Sequence, residues 1–204
     1  IGGVGAVIPK TNIIVVDDGS IDDTARAAAA ENVEVLRNTI NMGKGSSLKA
    51  GFERLSRRDE IEAVFTIDAD GQHDPAEMPR FIGAYRDRNA DIVIGNRMEH
   101  TGGMPVVRRM TNRLTSFVIS RRAGCRIEDS QSGYRLIRSS LLRRLKFETS
   151  RFDAESELLL RAGLMGAAIT SVPIKTIYGG ERSSIAPAAD TLRFLRLVLR
   201  SFFW

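Results

Sequence analysis

The chain has 204 residues, 43% hydrophobic and 27% charged, which excludes a disordered or fibrous polypeptide and suits one domain with a sizeable core, or one domain and a short appendage. Its single cysteine, Cys125, excludes an internal disulfide and fits a reducing compartment. The net charge of +5 is uneven, since residues 1–99 carry 12 Lys/Arg against 17 Asp/Glu and residues 100–204 carry 18 against 8.

Residues 1–9 are apolar with glycines and read as the tail of a helix. Residues 12–16 are a continuous apolar run, a buried strand ending in Asp17-Asp18-Gly19-Ser20. Ser20 with Asp23 is a helix-start pattern, and residues 24–31 are an alanine-rich helix. Residues 33–36 are a second strand. Residues 43–58 are a helix with a glycine-rich entry. Residues 63–67 form a third strand, followed by Asp68-Ala69-Asp70-Gly71-Gln72-His73-Asp74-Pro75. Residues 75–88 are a helix whose Met78, Phe81, Ile82 and Tyr85 recur at helical spacing, and residues 91–95 are a fourth strand. Then come a basic amphipathic helix at 104–122, a polar loop at 129–133, a helix at 153–164, a strand at 169–174 and a flexible loop at 179–184. The closing segment, 187–204, is a basic helix with Arg193, Arg196 and Arg200 among Phe194, Leu195, Leu197, Phe202, Phe203 and Trp204. It suits a membrane interface, and equally packing on the domain. Strand and helix alternate four times, the pattern of a mostly parallel α/β sheet covered by helices, in which ligands bind at the carboxyl ends of strands.

Asp17/Asp18, Asp68/Asp70 and Asn96-Arg97 all fall at such ends. Residues two apart on a strand share a side, so Asp68 and Asp70 can present two carboxylates to one point. Hard oxygen ligands suit Mg²⁺ or Mn²⁺, which keep positions open for phosphate oxygens. An isolated D-x-D is more often an acidic turn, and here its company changes the odds. Met42-Gly43-Lys44-Gly45 lacks the first glycine of a Walker A loop. No G-x-G-x-x-G follows a strand, and a receiver domain gives no reason for the second acidic cluster. With only 6% aromatic residues and no nucleic-acid motif, an anionic membrane or a phosphorylated substrate is a better partner for the basic half than nucleic acid. No signal-peptide pattern and no apolar run of membrane-spanning length is visible.

In order, Val15-Val16-Asp17-Asp18-Gly19-Ser20, Asn41-x-Gly43-Lys44-Gly45, Asp68-Ala69-Asp70-Gly71-Gln72-His73-x-Pro75, Gly95-Asn96-Arg97, Asp129-Ser130-Gln131-Ser132-Gly133-Tyr134-Arg135 and Val172-Pro173-Ile174 span nearly the whole chain. Together they resemble the family 2 glycosyltransferases, and most of all the dolichol-phosphate mannose synthase group that acts on polyprenyl phosphates. The resemblance implies a GT-A fold over residues 1–186 and a metal-dependent inverting transfer from a nucleotide-sugar donor. It also implies a strand before Ile1 that this chain lacks.

Under that resemblance Asp68, Asp70 and Gln72 hold Mg²⁺ or Mn²⁺ against the donor diphosphate. Asp17, Asp18 and Gly19 sit by base or ribose, and Lys44 reaches nucleotide or phosphate. Asp17/Asp18 also read as a strand end and helix cap, and Lys44 as an exposed helix-start lysine. A polyprenyl phosphate is already anionic and needs orientation and charge cancellation more than a base. Arg97, Arg108 and Arg109, with Asn112 one turn beyond Arg108, are the acceptor candidates, joined by Gln131 and by Arg182, Ser183 and Ser184 in a closing loop. Arg109 and Asn112 also suit a solvated basic helix. A hydroxyl acceptor would need a base, for which Asp129, Glu155 and Glu157 are available. His73 reads as a turn residue. The expected activity is sugar transfer to a polyprenyl phosphate on the cytoplasmic membrane face, peripheral to an anionic inner or plasma membrane. The alternatives are transfer to a saccharide hydroxyl and a non-catalytic binding module.

Overall fold

The computed structural model describes residues 1–148, 153–177 and 187–204. A short helix, α1 (Gly2–Gly5), leads through a 3-10 turn to strand β1 (Ile14–Asp17). Helix α2 (Thr24–Ala30), strand β2 (Glu34–Arg37), helix α3 (Lys44–Ser56) and strand β3 (Ala63–Thr66) follow. Next come α4 (Met78–Asp87), β4 (Ile92–Asn96), α5 (Val106–Ala123), β5 (Arg135–Arg138), α6 (Ser139–Leu142), α7 (Asp153–Leu164), β6 (Ile169–Pro173) and α8 (Pro187–Arg200). The elements expected from apolar periodicity are all present among the described residues, with ends shifted by a few positions. The flexible loop expected at 179–184 lies outside the described residues.

Among the described residues the strands form two sheets rather than one. β1 and β2 pair in parallel, while the larger sheet has the order β3-β5-β4-β6. Within the larger sheet β3, β4 and β6 run the same way, as expected of a mostly parallel arrangement, and one strand is reversed. β5 runs antiparallel to both β3 and β4, and only β4–β6 is parallel in the larger sheet. Strand β5 escapes sequence reading because it offers only Leu136 and Ile137 between two arginines, too short an apolar run to register. β4 is the buried centre, with Ile92, Val93, Ile94, Gly95 and Asn96 all inaccessible. One side of this sheet packs on α5, α7 and α8 through Ile119, Leu158, Leu159 and Leu197. The other packs on α4 through Met78, Phe81 and Tyr85. α8 thus packs on the domain by Leu197, while Leu192, Leu195 and Leu199 stay exposed.

β1 and β3 face each other across a cavity of about 900 Å³, each with one partner strand only among the described residues. Val16, Leu48, Phe52, Val64, Phe65 and Met78 line it, and Lys44, Asp68 and His73 stand on its wall. No helix among the described residues is long and apolar enough to cross a membrane.

Candidate active site

The site lies where β1, β3 and β4 end. At the end of β1, Asp17 is buried, accepts the Ser20 amide at 3.0 Å and lies 3.2 Å from the Arg37 guanidinium. Asp18 ties down the neighbouring loop, accepting the Asn38 amide at 2.7 Å and the backbone N–H groups of Met42 and Gly43 at 2.9 and 2.7 Å. Burial pushes the Asp18 carboxyl up, but these donors outweigh it and hold it below the ordinary range. Gly19 has φ 75°, and a Cβ there would come within 2.6 Å of the Ile40 backbone. Only glycine accepts both the torsion and that approach.

Gly43 stands at the N-cap of α3, and the first residue of that helix, Lys44, reaches across to the end of β3. Its Nζ lies 2.8 and 2.9 Å from the two Asp68 carboxylate oxygens and 3.1 Å from Glu155 on α7. Burial alone would depress Lys44, yet Glu155 and Asp68 raise it above the usual lysine range. Burial likewise raises Asp68, and Lys44, helped by His73 and Arg135, brings it below the usual carboxylate range. The pair is therefore charged at neutral pH, and a chain of contacts runs from Asp18 through Gly43 and Lys44 to Asp68 and Glu155.

Asp68 and Asp70 do not follow strand alternation, because β3 ends at Thr66 and both lie beyond it. Asp68 turns inward to Lys44. Asp70 is exposed and accepts the Gln72 N–H at 3.0 Å, so the D-x-D opens into an Asx-type turn. Gln72 is held by its carbonyl, which accepts the Ile177 N–H at 3.1 Å. Among the described residues no three His, Cys, Asp or Glu side chains cluster as a metal cage. Two carboxylates and an amide oxygen remain, a set that fits Mg²⁺ or Mn²⁺ sharing its shell with donor phosphates. The Lys44 ammonium engages both Asp68 oxygens, the place that a cation at this carboxylate would take.

His73 is no solvated turn residue. It is 7% exposed, its ring packs 5.2 Å from that of Tyr134, and its Nε2 is 3.9 Å from Asp68. Burial pushes it below the usual histidine range despite the pull of Asp68, so it is neutral at pH 7.

At the end of β4, Arg97 faces inward. Its backbone N–H, Nε and Nη2 donate to Asp129 at 3.1, 2.7 and 2.9 Å. Asn112 adds a bond at 2.8 Å and the Gln131 N–H one at 3.2 Å. Burial raises the Asp129 carboxyl, but Arg97 and Asn112 outweigh it and hold it below the ordinary range. The polar loop after Asp129 is clamped by Arg135, whose buried guanidinium donates to the carbonyls of Ser130, Ser132 and Glu155 at 2.9, 2.8 and 3.0 Å. Gln131 and Arg108 are exposed. Arg182, Ser183 and Ser184 lie outside the described residues.

Sequence reading singled out Asp18, Lys44 and Asp68, which share one network of contacts, and Arg97, Asn112 and Asp129, which share another. It missed His73, Arg135 and the Glu155–Lys44 link as parts of the site. A buried arginine in a short strand leaves no periodic signal, and a pair 111 positions apart in the chain leaves none at all.

Carboxylates at strand ends on an α/β frame are the arrangement of the GT-A fold, and this protein is a glycosyltransferase of that fold. Residues 8–146 match the model of Glycosyl transferase family 2, and the chain belongs to that family. It is 32% identical over 185 residues to the undecaprenyl-phosphate mannosyltransferase of Micrococcus luteus, covering 85% of this chain and 75% of that protein. To the polyprenol monophosphomannose synthase of Mycolicibacterium smegmatis it is 31% identical over 192 residues, 85% of this chain and 69% of that one. Its backbone is similar to glucosyl-3-phosphoglycerate synthase from Mycobacterium tuberculosis in complex with phosphoglyceric acid. There the TM-score is 0.71 at 22% identity, over 98% of this chain and 75% of the other. The same enzyme solved with Mn²⁺, UDP-glucose and phosphoglyceric acid gives a TM-score of 0.70 at 19% identity, over 98% and 74%.

Proposed function

We propose that this glycosyltransferase moves a sugar from a nucleotide-diphosphate donor to a polyprenyl phosphate, with inversion, at the cytoplasmic face of an anionic membrane. The observation that carries the reading is the complete engagement of Asp129. Five donors surround it, it is fully buried and it is held ionised, so it is a poor proton acceptor. Glu155 is paired with Lys44, and Glu157 with Arg161 at 2.7 Å. An acceptor that arrives already anionic needs none of them as a base. The named relatives in Micrococcus and Mycolicibacterium, by their names, act on such lipids, which supports the same reading.

In this reading Asp17, Asp18 and Gly19 shape the pocket for base and ribose, and Lys44 neutralises donor phosphate. Asp68 and Asp70, with Gln72, would hold Mg²⁺ or Mn²⁺, which supplies charge neutralisation for the departing nucleoside diphosphate. Asp129 and Asn112 fix Arg97 at the end of β4. Arg108 at the start of α5 orients the incoming phosphate, with Gln131, Arg182 and Ser184 completing the acceptor side. A phosphate oxygen attacks the anomeric carbon as the bond to the diphosphate breaks, and no proton need be removed.

The test is incubation with Mn²⁺, a panel of uridine and guanosine diphosphate sugars and a short-chain polyprenyl phosphate in detergent. Glycosylated lipid is the expected product. Sugar appearing only on a saccharide, or no turnover of any donor, would overturn the proposal. Asp70→Asn should remove Mn²⁺-dependent donor binding in calorimetry while the circular dichroism spectrum stays unchanged.

A further inference from the structure

Helix α5 is built inside out. At about 100° per residue, Asn112, Ser116, Ile119 and Ala123 share one side, and these are its buried positions. Half of that buried side is polar, and it is satisfied internally. Asn112 donates to Asp129, while the Ser116 hydroxyl bonds to Asn112 and Ser130. The opposite side carries Val106, Val107, Met110, Leu114 and Phe117, which are 58% to 77% exposed. A helix that only covers a core has the reverse arrangement. The exposed apolar stripe runs for about 16 Å along the helix, and contiguous apolar surface of this kind marks an interaction site.

Charge identifies the occupant. Arg108, Arg109, Arg113, Arg121 and Arg122 all lie on α5, which has no acidic residue. Arg108, Arg113 and Arg121 are exposed. A second copy docked stripe to stripe would bring two all-basic helices together. An anionic bilayer instead offers acyl chains to the apolar stripe and headgroup phosphates to the arginines. We propose that α5 docks this protein on anionic lipid, lying in the interface with Val106, Met110, Leu114 and Phe117 inserted.

The inference rests on the lipid-phosphate reading of the acceptor and deepens it. The inner side of the same helix supplies Asn112 to Asp129, so docking sets the Arg97–Asp129 end of the site close to headgroup level. The far end of α5 meets the C-terminal segment, where Arg122 stacks on Phe202 and donates to the Ser201 carbonyl. The exposed Leu195 and Leu199 of α8 offer a second, independent contact.

The experiment floats the full chain with vesicles of phosphatidylcholine, alone or mixed with phosphatidylglycerol, without polyprenyl phosphate. The protein should float with the anionic vesicles. The combined variant Met110→Ser, Leu114→Ser, Phe117→Ser should lose at least about tenfold in partition, at unchanged circular dichroism. Leu114→Trp in a Trp204→Phe background places an indole on the stripe, and bromine-labelled acyl chains should quench it. Three results would each overturn the proposal: flotation of the triple variant like the parent, an unquenched indole, or conversion of a dimer to a monomer with flotation unchanged. Transfer in detergent to a short polyprenyl phosphate tests the acceptor reading by itself. Lost flotation with retained transfer supports docking, and stripe-dependent flotation without transfer also supports docking while removing the acceptor reading.

Discussion

Gly133 lies against the Asp68 carboxylate. A Cβ there would stand 2.6 Å from Asp68 Oδ2 and 3.0 Å from the Lys44 ammonium. Its carbonyl is fixed by the Thr66 hydroxyl at 2.7 Å, so the backbone cannot easily retreat and the Asp68 side chain must turn instead. Gly133→Ala should therefore weaken Mn²⁺-dependent donor binding about tenfold or more, the loss expected for roughly 1.4 kcal/mol, with a melting temperature near that of the parent. Calorimetry with UDP and Mn²⁺ reads it. Asp129 makes the opposite kind of prediction, on stability. Its folded pKa is depressed, so the unfolded chain binds more protons as pH falls below the reference value of 3.8. Its stabilisation is present above that pH and is lost as pH falls through the folded value. Asp129→Asn removes the carboxylate to which the buried Arg97 guanidinium donates and should cost about 3 kcal/mol or more, while flattening this acid limb in urea titrations between pH 5 and 3. The residue types at these positions were legible from motif spacing. Whether Asp129 faced the acceptor or the interior was not, because the choice depends on the desolvated guanidinium across from it.

At the level of elements, α5 and α7 meet at Gly163 and Ala123. A Cβ on Gly163 would lie 2.4 Å from the Ala123 Cβ and 2.9 Å from its carbonyl oxygen. In an isolated helix Gly→Ala gains about 1 kcal/mol. Here the obstruction includes backbone, and overpacking costs about 1–3 kcal/mol, so the clash should win. Gly163→Ala is expected to destabilise the protein, and a lower urea midpoint at constant slope would show it. The longer helices were readable from the chain, α7 with the bounds Asp153–Leu164, whereas the four-residue α6 was not. Strand β5 was not, since its place between β3 and β4 depends on partners around 70 and 40 positions earlier in the chain.

In the whole molecule the two sheets are unequal. β4 is buried throughout, whereas β1 and β2 are mostly half-buried. The β1–β2 pair is separated from β3 by the central cavity. Amides of β1 and β2 should therefore exchange with deuterium at least about tenfold faster than those of β4, because local opening follows local burial. Equal protection across both sheets would contradict this. The amino-acid sequence by itself determined the succession of strands and helices, the acidic clusters at strand ends and the family motifs, since apolar period, breakers and short spacings are local properties. Only the tertiary structure decided that β5 enters antiparallel and that Lys44 sits between Asp68 and Glu155. It alone consumed Asp129 in a buried knot and turned the apolar side of α5 outward. Each of these depends on which distant groups lose water together, and that is settled when the chain packs.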